Sequence, residues 1–113
     1  MISIIVPTLN EASHIEHCLR SLNNQCIKRE NYEIIVVDGG SVDRTCSIAE
    51  KYADKVITQT NPGIGGARKN GAEVASGQIL AFTDADTTYS ENWLEVISQN
   101  LKRYEASTGP VTF

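Results

Sequence analysis

The chain has no excess of positive charge, no paired cysteines and no long apolar run, and each of these lacks narrows what it can do. Its formal net charge of -4 and pI near 5.1 give no general attraction to nucleic acid or anionic lipid, so any phosphate must be bound by local geometry. Cys18, Cys26 and Cys46 are an odd set without a C-x-x-C pair. Two of them fall on apolar helix faces, the pattern of reduced core thiols. The longest apolar run lies around Ile4–Val6, far short of the roughly 18 residues that a membrane span needs, and no basic signal-peptide segment opens the chain. The expected location is cytoplasmic, with any peripheral membrane contact left to missing segments or partners. No segment is polar or repetitive enough to be read as disorder.

What is present is an ordinary globular composition. Hydrophobic residues make up 41% and charged residues 21% of 113 residues, enough for one core and one layered domain over 1–113. The apolar, β-branched segment Ile2–Val6, closed by Pro7 and Thr8, predicts a strand buried on both faces. Ile15, Cys18, Leu19 and Leu22 follow at helical spacing. The pattern repeats with a strand from Tyr32 to Val37 ending in Asp38-Gly39-Gly40-Ser41, then a helix carrying Val42, Ile48, Ala49 and Tyr52 with Ser41 as its N-cap. Lys55–Thr58 reads as a third strand, and the turn Asn61-Pro62-Gly63-Ile64-Gly65-Gly66 opens a helix from about Ala67 to Ala75, with Gly77 as its stop. A fourth strand at Ile79–Thr83 precedes a helix capped by Ser90 that carries Trp93, Leu94, Ile97, Leu101 and Tyr104, and Gly109–Phe113 starts a fifth strand. Strands alternating with helices imply an α/β fold with a largely parallel sheet, whose ligands sit beyond the carboxyl ends of the strands.

That rim gathers polar residues: Thr8, Asn10 and Glu11 after the first strand, Asp38 after the second, Asp84 and Asp86 after the fourth. In Asp84-Ala85-Asp86 two carboxylates two residues apart point the same way in extended chain, which suits a hard cation sharing phosphate oxygens, Mg²⁺ or Mn²⁺ rather than a soft metal. A D-x-D alone reads more readily as a solvated turn; its place after an apolar strand reverses that and favours the metal. Asp38 can accept hydrogen bonds from a base edge or a ribose hydroxyl, or merely shape the Gly39-Gly40 turn. Gly63, Gly65 and Gly66 before a helix, with Arg68 or Lys69, suit a diphosphate, against the plain reading of a glycine loop with solvated cations. His14 and His17 lack the partners of a transition-metal set and read as surface residues. A dinucleotide-binding oxidoreductase would carry G-x-G-x-x-G after the first strand, where this chain has Pro7-Thr8-Leu9-Asn10, and no G-x-x-x-x-G-K-[ST] of a phosphate-binding NTPase occurs.

Four segments in order, Ile4-Ile5-Val6-Pro7-Thr8-Leu9-Asn10-Glu11, Val36-Val37-Asp38-Gly39-Gly40-Ser41-Val42-Asp43-Arg44-Thr45, Gly65-Gly66-Ala67-Arg68-Lys69-Asn70-Gly71 and Phe82-Thr83-Asp84-Ala85-Asp86, resemble family 2 glycosyltransferases. The resemblance implies a GT-A fold, a Rossmann-like sheet of about four to five strands with helices on both faces. It also implies transfer of a sugar from a nucleoside diphosphate sugar, UDP- or GDP-linked, to a lipid-linked or saccharide acceptor, usually with inversion and with Mg²⁺ or Mn²⁺. By that resemblance Pro7, Thr8, Asn10, Glu11 and Asp38 line the base and ribose pocket. Gly66 and Arg68 lie near the diphosphate, Asp84 and Ala85 near the ribose or metal, and Asp86 is the principal metal ligand. Polyprenol phosphate mannose synthases share the P-x-x-N-E start and the D-A-D triplet, yet many carry a metal-binding Gln where this chain has Thr88. Relatives of that kind are about twice as long, so the acceptor-binding half and the general base are expected to be absent here. The alternative is a non-catalytic nucleotide-sugar-binding or partner-binding fragment, self-associating through an exposed sheet edge.

Overall fold

The structure, a computed structural model, describes residues 1–103 and 111–112. Five parallel strands, β1 (Ile2–Thr8), β2 (Tyr32–Asp38), β3 (Lys55–Thr58), β4 (Ile79–Phe82) and β5 (Val111–Thr112), form one sheet in the order β3-β2-β1-β4-β5. The helices between them are α1 (Ile15–Asn23), α2 (Thr45–Ala49), α3 (Gly63–Val74) and α4 (Trp93–Arg103). The expected α/β class and parallel sheet are thus present. Of the expected last elements, Tyr104, Gly109, Pro110 and Phe113 lie outside the described residues.

The period of the strands decides the layers. In β1 and β2 the residues Ile2, Ile4, Val6, Tyr32, Ile34 and Val36 join one core cluster with Ile15, Cys18, Leu19 and Leu22 of α1, Ala49 of α2 and Leu94 and Ile97 of α4. Their neighbours Ile5, Ile35 and Val37 point the other way and pack on Ala67 of α3 and Leu80 of β4. Both faces of the central strands are therefore covered, as continuous apolar runs require. Gly71 lets α3 approach the sheet: a Cβ there would stand 2.6 Å from Ile5 Cγ2.

Local expectations needed four corrections. The second helix begins at Thr45, not near Val42, which is 92% exposed, and Ser41 is not its cap; the Ser41 hydroxyl donates to the Asp38 carboxylate instead. The third helix starts at Gly63, so the glycines form its first turn rather than a loop before it. It stops at Val74 with Ala75 in extended backbone, and Gly77 serves close packing: a Cβ on it would meet the Met1 carbonyl oxygen at 2.5 Å. Ser90 does not cap α4 through its hydroxyl, which donates to Asn92 Oδ1, although its carbonyl accepts the Trp93 N–H.

At the amino-terminal end of the sheet a polar knot replaces apolar packing. Glu33, 7% exposed on β2, accepts from Ser3 Oγ and Ser76 N–H, both at 2.6 Å, and pairs with Lys55 Nζ at 3.1 Å. Lys55 also donates to the Val74 carbonyl, and Gly77 N–H to Ser3 Oγ. Three strands and the turn after α3 are tied by one buried carboxylate, leaving the opposite end free for ligands.

Candidate functional site

Strand order reverses at β1, whose two neighbours β2 and β4 are reached in opposite directions, and a crevice opens where the loops diverge. A cleft of about 540 Å³ lies there. Pro7, Thr8, Leu9 and Glu11 line it from the end of β1, Gly39 and Gln59 from the ends of β2 and β3. Pro62, Gly63, Ile64 and Ala67 of α3 and its approach form one wall, and Asp84, Ala85 and Asp86 after β4 form the other.

Of the residues singled out in the sequence, Pro7, Thr8, Glu11, Asp84, Ala85 and Asp86 meet in this cleft. Thr8 is the most telling. It is 7% exposed and its hydroxyl is buried without a hydrogen-bond partner among the described residues, a condition proteins rarely tolerate without a ligand or water to relieve it. Asp84 and Asp86 are exposed on either side of buried Ala85, and both line the cleft. Their loop is fixed from beneath: Asp84 N–H donates to Tyr89 Oη at 3.0 Å, Thr87 N–H donates to the Asp84 carbonyl at 3.3 Å, and Cys18 Sγ–H donates to that carbonyl at 3.5 Å. Burial, reinforced by the charges of Asp86 and Asp84, pushes the Cys18 thiol up to about 12, so it stays a neutral donor. Tyr89 in turn packs against Trp93 in a tilted arrangement, with ring centres 4.5 Å apart.

Asn10, Asp38, Gly66 and Arg68 are not among the lining residues. Asp38 is buried behind Gly39, and its carboxylate accepts from the Gly40 and Ser41 N–H groups at 3.0 and 2.9 Å and from the Ser41 hydroxyl. Burial pushes that carboxyl up, but the bonds from Ser41 and Gly40 outweigh it and hold the group below the usual carboxylate range. Asn10 accepts the Val42 N–H on its side chain. Gly66 is demanded by the chain itself, because a Cβ would lie 2.4 Å from the Asn61 carbonyl oxygen. The Arg68 guanidinium lies over the Phe82 ring, 5.2 Å from its centre.

Sequence reasoning missed the residues that hold the walls. Asn70, buried on the Ala67–Gly71 stripe of α3, accepts the Thr60 and Asn61 N–H groups on Oδ1 and donates to Thr60 Oγ1. Gln59 donates to the Asn61 and Gly63 carbonyls. A polar residue on the buried stripe of an amphipathic helix is the signal that would have found Asn70. Leu9 and Ile64, exposed at the cleft mouth, carry no such signal, since single exposed apolar residues are common.

Two carboxylates lining one cleft suit a hard cation. Among the described residues no group of three His, Cys, Asp or Glu side chains could enclose a metal by itself. A site of two carboxylates that leaves the remaining positions to phosphate oxygens and water fits Mg²⁺ or Mn²⁺. No helix of the described residues is long and apolar enough to cross a membrane.

A Rossmann-like parallel sheet with a cleft at its switch point is the class of α/β domain that binds ligands beyond the carboxyl ends of its strands. The chain belongs to glycosyl transferase family 2, whose family model matches residues 3–111. It is 38% identical over 100 residues to the glycosyltransferase AglE of Haloferax volcanii, covering 83% of this chain and 33% of that protein. Among solved structures, S. aureus TarS 1-349 in complex with UDP-GlcNAc superposes with a TM-score of 0.78 at 27% identity, over 91% of this chain and 31% of that one. The mannosyltransferase PcManGT from Pyrobaculum calidifontis, in complex with GDP-Man and Mn²⁺, gives 0.80 at 30% identity, over 88% and 32%. The GT-A fold implied by the sequence resemblance is thereby met. The chain spans about a third of the length of AglE and of the TarS 1-349 and PcManGT chains.

Proposed function

We propose that residues 1–113 are the nucleotide-sugar-binding region of a glycosyltransferase, which holds a UDP- or GDP-linked sugar in the cleft and serves its transfer, with inversion, to a saccharide or lipid-linked hydroxyl. The observation that carries this reading is the convergence of the unsatisfied Thr8 hydroxyl and the paired Asp84 and Asp86 carboxylates on one cleft. Relatives of the same fold support it, because TarS was solved with UDP-GlcNAc and PcManGT with GDP-Man and Mn²⁺.

In this reading Pro7, Thr8 and Glu11 contact the nucleoside, and Asp38, Asn10 and Gly66 set the loops that contact it. The diphosphate faces the first turn of α3, where Pro62 at the N-cap position supplies no side-chain cap, so the helix's first backbone donors and its dipole are free for an anion. Asp84 and Asp86 would hold Mg²⁺ or Mn²⁺, which when bound neutralises charge on the leaving nucleoside diphosphate.

Thr8→Val tests the reading at its centre. It keeps the side-chain volume and removes an unsatisfied hydroxyl, so folding stability should hold or rise, while nucleotide affinity should fall about five- to tenfold. A variant that binds UDP and GDP as the parent chain does would sink it.

A further inference from the structure

We propose that Phe82 is a positioning residue for the diphosphate: its ring is a shelf that holds the Arg68 guanidinium beside the cleft, ready for phosphate oxygens. The inference rests on the donor-site reading above and concerns how this chain builds the phosphate end of that site.

Arg68 sits one residue after Ala67, which lines the cleft from α3, and Phe82 ends β4 two residues before Asp84, which lines it from the other wall. The contact between them joins α3 to β4 next to residues that line the two walls, although neither Arg68 nor Phe82 lines the cleft itself. Arg68 is exposed and, among the described residues, forms no ion pair with any carboxylate, unlike Arg20, which pairs with Glu16, and Arg29, which pairs with Asp54. Its recorded contact is the ring face, 5.2 Å from the guanidinium carbon to the ring centre. A planar cation on an aromatic face keeps its N–H edge free for bidentate contact with phosphate, while the contact restricts a side chain that would otherwise lose much rotamer freedom on binding.

Phe82 is itself anchored. It packs against the cluster of Ile5, Ile35, Val37, Ala67 and Leu80 between the sheet and α3, so the shelf is rigid where Arg68 is not. An aliphatic side chain would fill the same gap in the core but offer no quadrupole to the cation. That separates a packing role from a positioning role.

The test is an NMR titration of the chain with UDP, GDP and the corresponding monophosphates UMP and GMP, in Mg²⁺, for the parent, Phe82→Leu and Phe82→Tyr. In the ligand-free parent the Arg68 Nε–H resonance should carry an upfield ring-current shift that Phe82→Leu removes and Phe82→Tyr keeps. The preference for diphosphate over monophosphate should fall about two- to fivefold in Phe82→Leu and be retained in Phe82→Tyr. Equal weakening of monophosphate and diphosphate, or an unchanged preference in a folded Phe82→Leu chain, overturns the proposal while leaving the donor site standing. If the parent binds none of the four nucleotides, the donor-site reading falls and this inference with it.

Discussion

The Asn10 backbone N–H donates to Ser41 Oγ at 2.8 Å, across 31 residues of sequence, and so locks the loop after β1 to the loop after β2. The tie is returned: Asn10 Oδ1 accepts the Val42 N–H at 2.9 Å, Glu11 N–H donates to Thr45 Oγ1 at 2.9 Å, and Ala12 N–H to Asp43 Oδ2 at 3.3 Å. Four cross-loop bonds set where Leu9 and Glu11 stand at the cleft.

Asn10 has φ +51, a left-handed backbone that Asn tolerates better than most residues. Asn10→Ala both loses the acceptor for Val42 and pays the steric cost of that backbone, so it should destabilise the fold by about 1–2 kcal/mol. Asn10→Gly should cost less, since it loses only the acceptor. Urea denaturation of the two variants checks the order, and equal losses would mean that the backbone conformation contributes nothing.

Asp38 links this clamp to pH. Its carboxyl is held below the usual value in the folded chain because the hydrogen bonds from Ser41 and Gly40 outweigh the cost of burial. The unfolded chain therefore binds the proton first as pH falls, and the stability that Asp38 contributes, complete above the ordinary carboxylate value of about 3.9, is lost as pH drops through the folded value. The gap in unfolding free energy between the parent and Asp38→Asn should shrink as pH falls from about 5 toward 2. A gap that is constant with pH would remove Asp38 from the acid transition.

Glu33 offers a separation of stability from binding. Its carboxylate is the shared acceptor of Ser3, Ser76 and Lys55, and Glu33→Gln removes the charge that pairs with Lys55 in a buried setting. A loss of about 2–4 kcal/mol is expected. Because the knot lies at the amino-terminal end of the sheet, nucleotide affinity of the folded variant should match the parent. Weakened binding at full folding would connect the two ends.

The layered fold was legible because the strands are short apolar runs and α1 keeps strict helical spacing: Ile15, Cys18, Leu19 and Leu22 are all fully buried. The helix starts were harder to read. Ser41 has the chemistry of an N-cap, but a nearby carboxylate, Asp38, outcompetes the helix for its hydroxyl. Gly63–Gly66 looks like a loop by composition, yet its glycines are needed inside the first turn of α3, where Gly66 passes within van der Waals reach of Asn61. The rim of the cleft was legible where a polar residue ends a strand, as at Thr8, or comes just after one, as at Asp84. Asn10, Asp38 and Arg68 were legible as rim residues but not in how the structure uses them: Asn10 is taken up by Ser41 and Val42 across more than 30 residues, Arg68 lies on Phe82 of the next strand, and Asp38 turns onto the N–H groups of its own Gly40-Ser41 turn, the plain reading its sequence also allowed.

The measurement that bears most directly on the donor site is calorimetric titration of UDP, GDP and their sugar conjugates into the chain, with and without Mn²⁺, beside Asp86→Ala. One nucleotide series should bind with an Mn²⁺-dependent affinity that Asp86→Ala, still folded by circular dichroism, reduces about tenfold or more. A folded parent chain that binds neither series, or binds one with the same affinity with and without Mn²⁺ and with and without Asp86, would contradict the account.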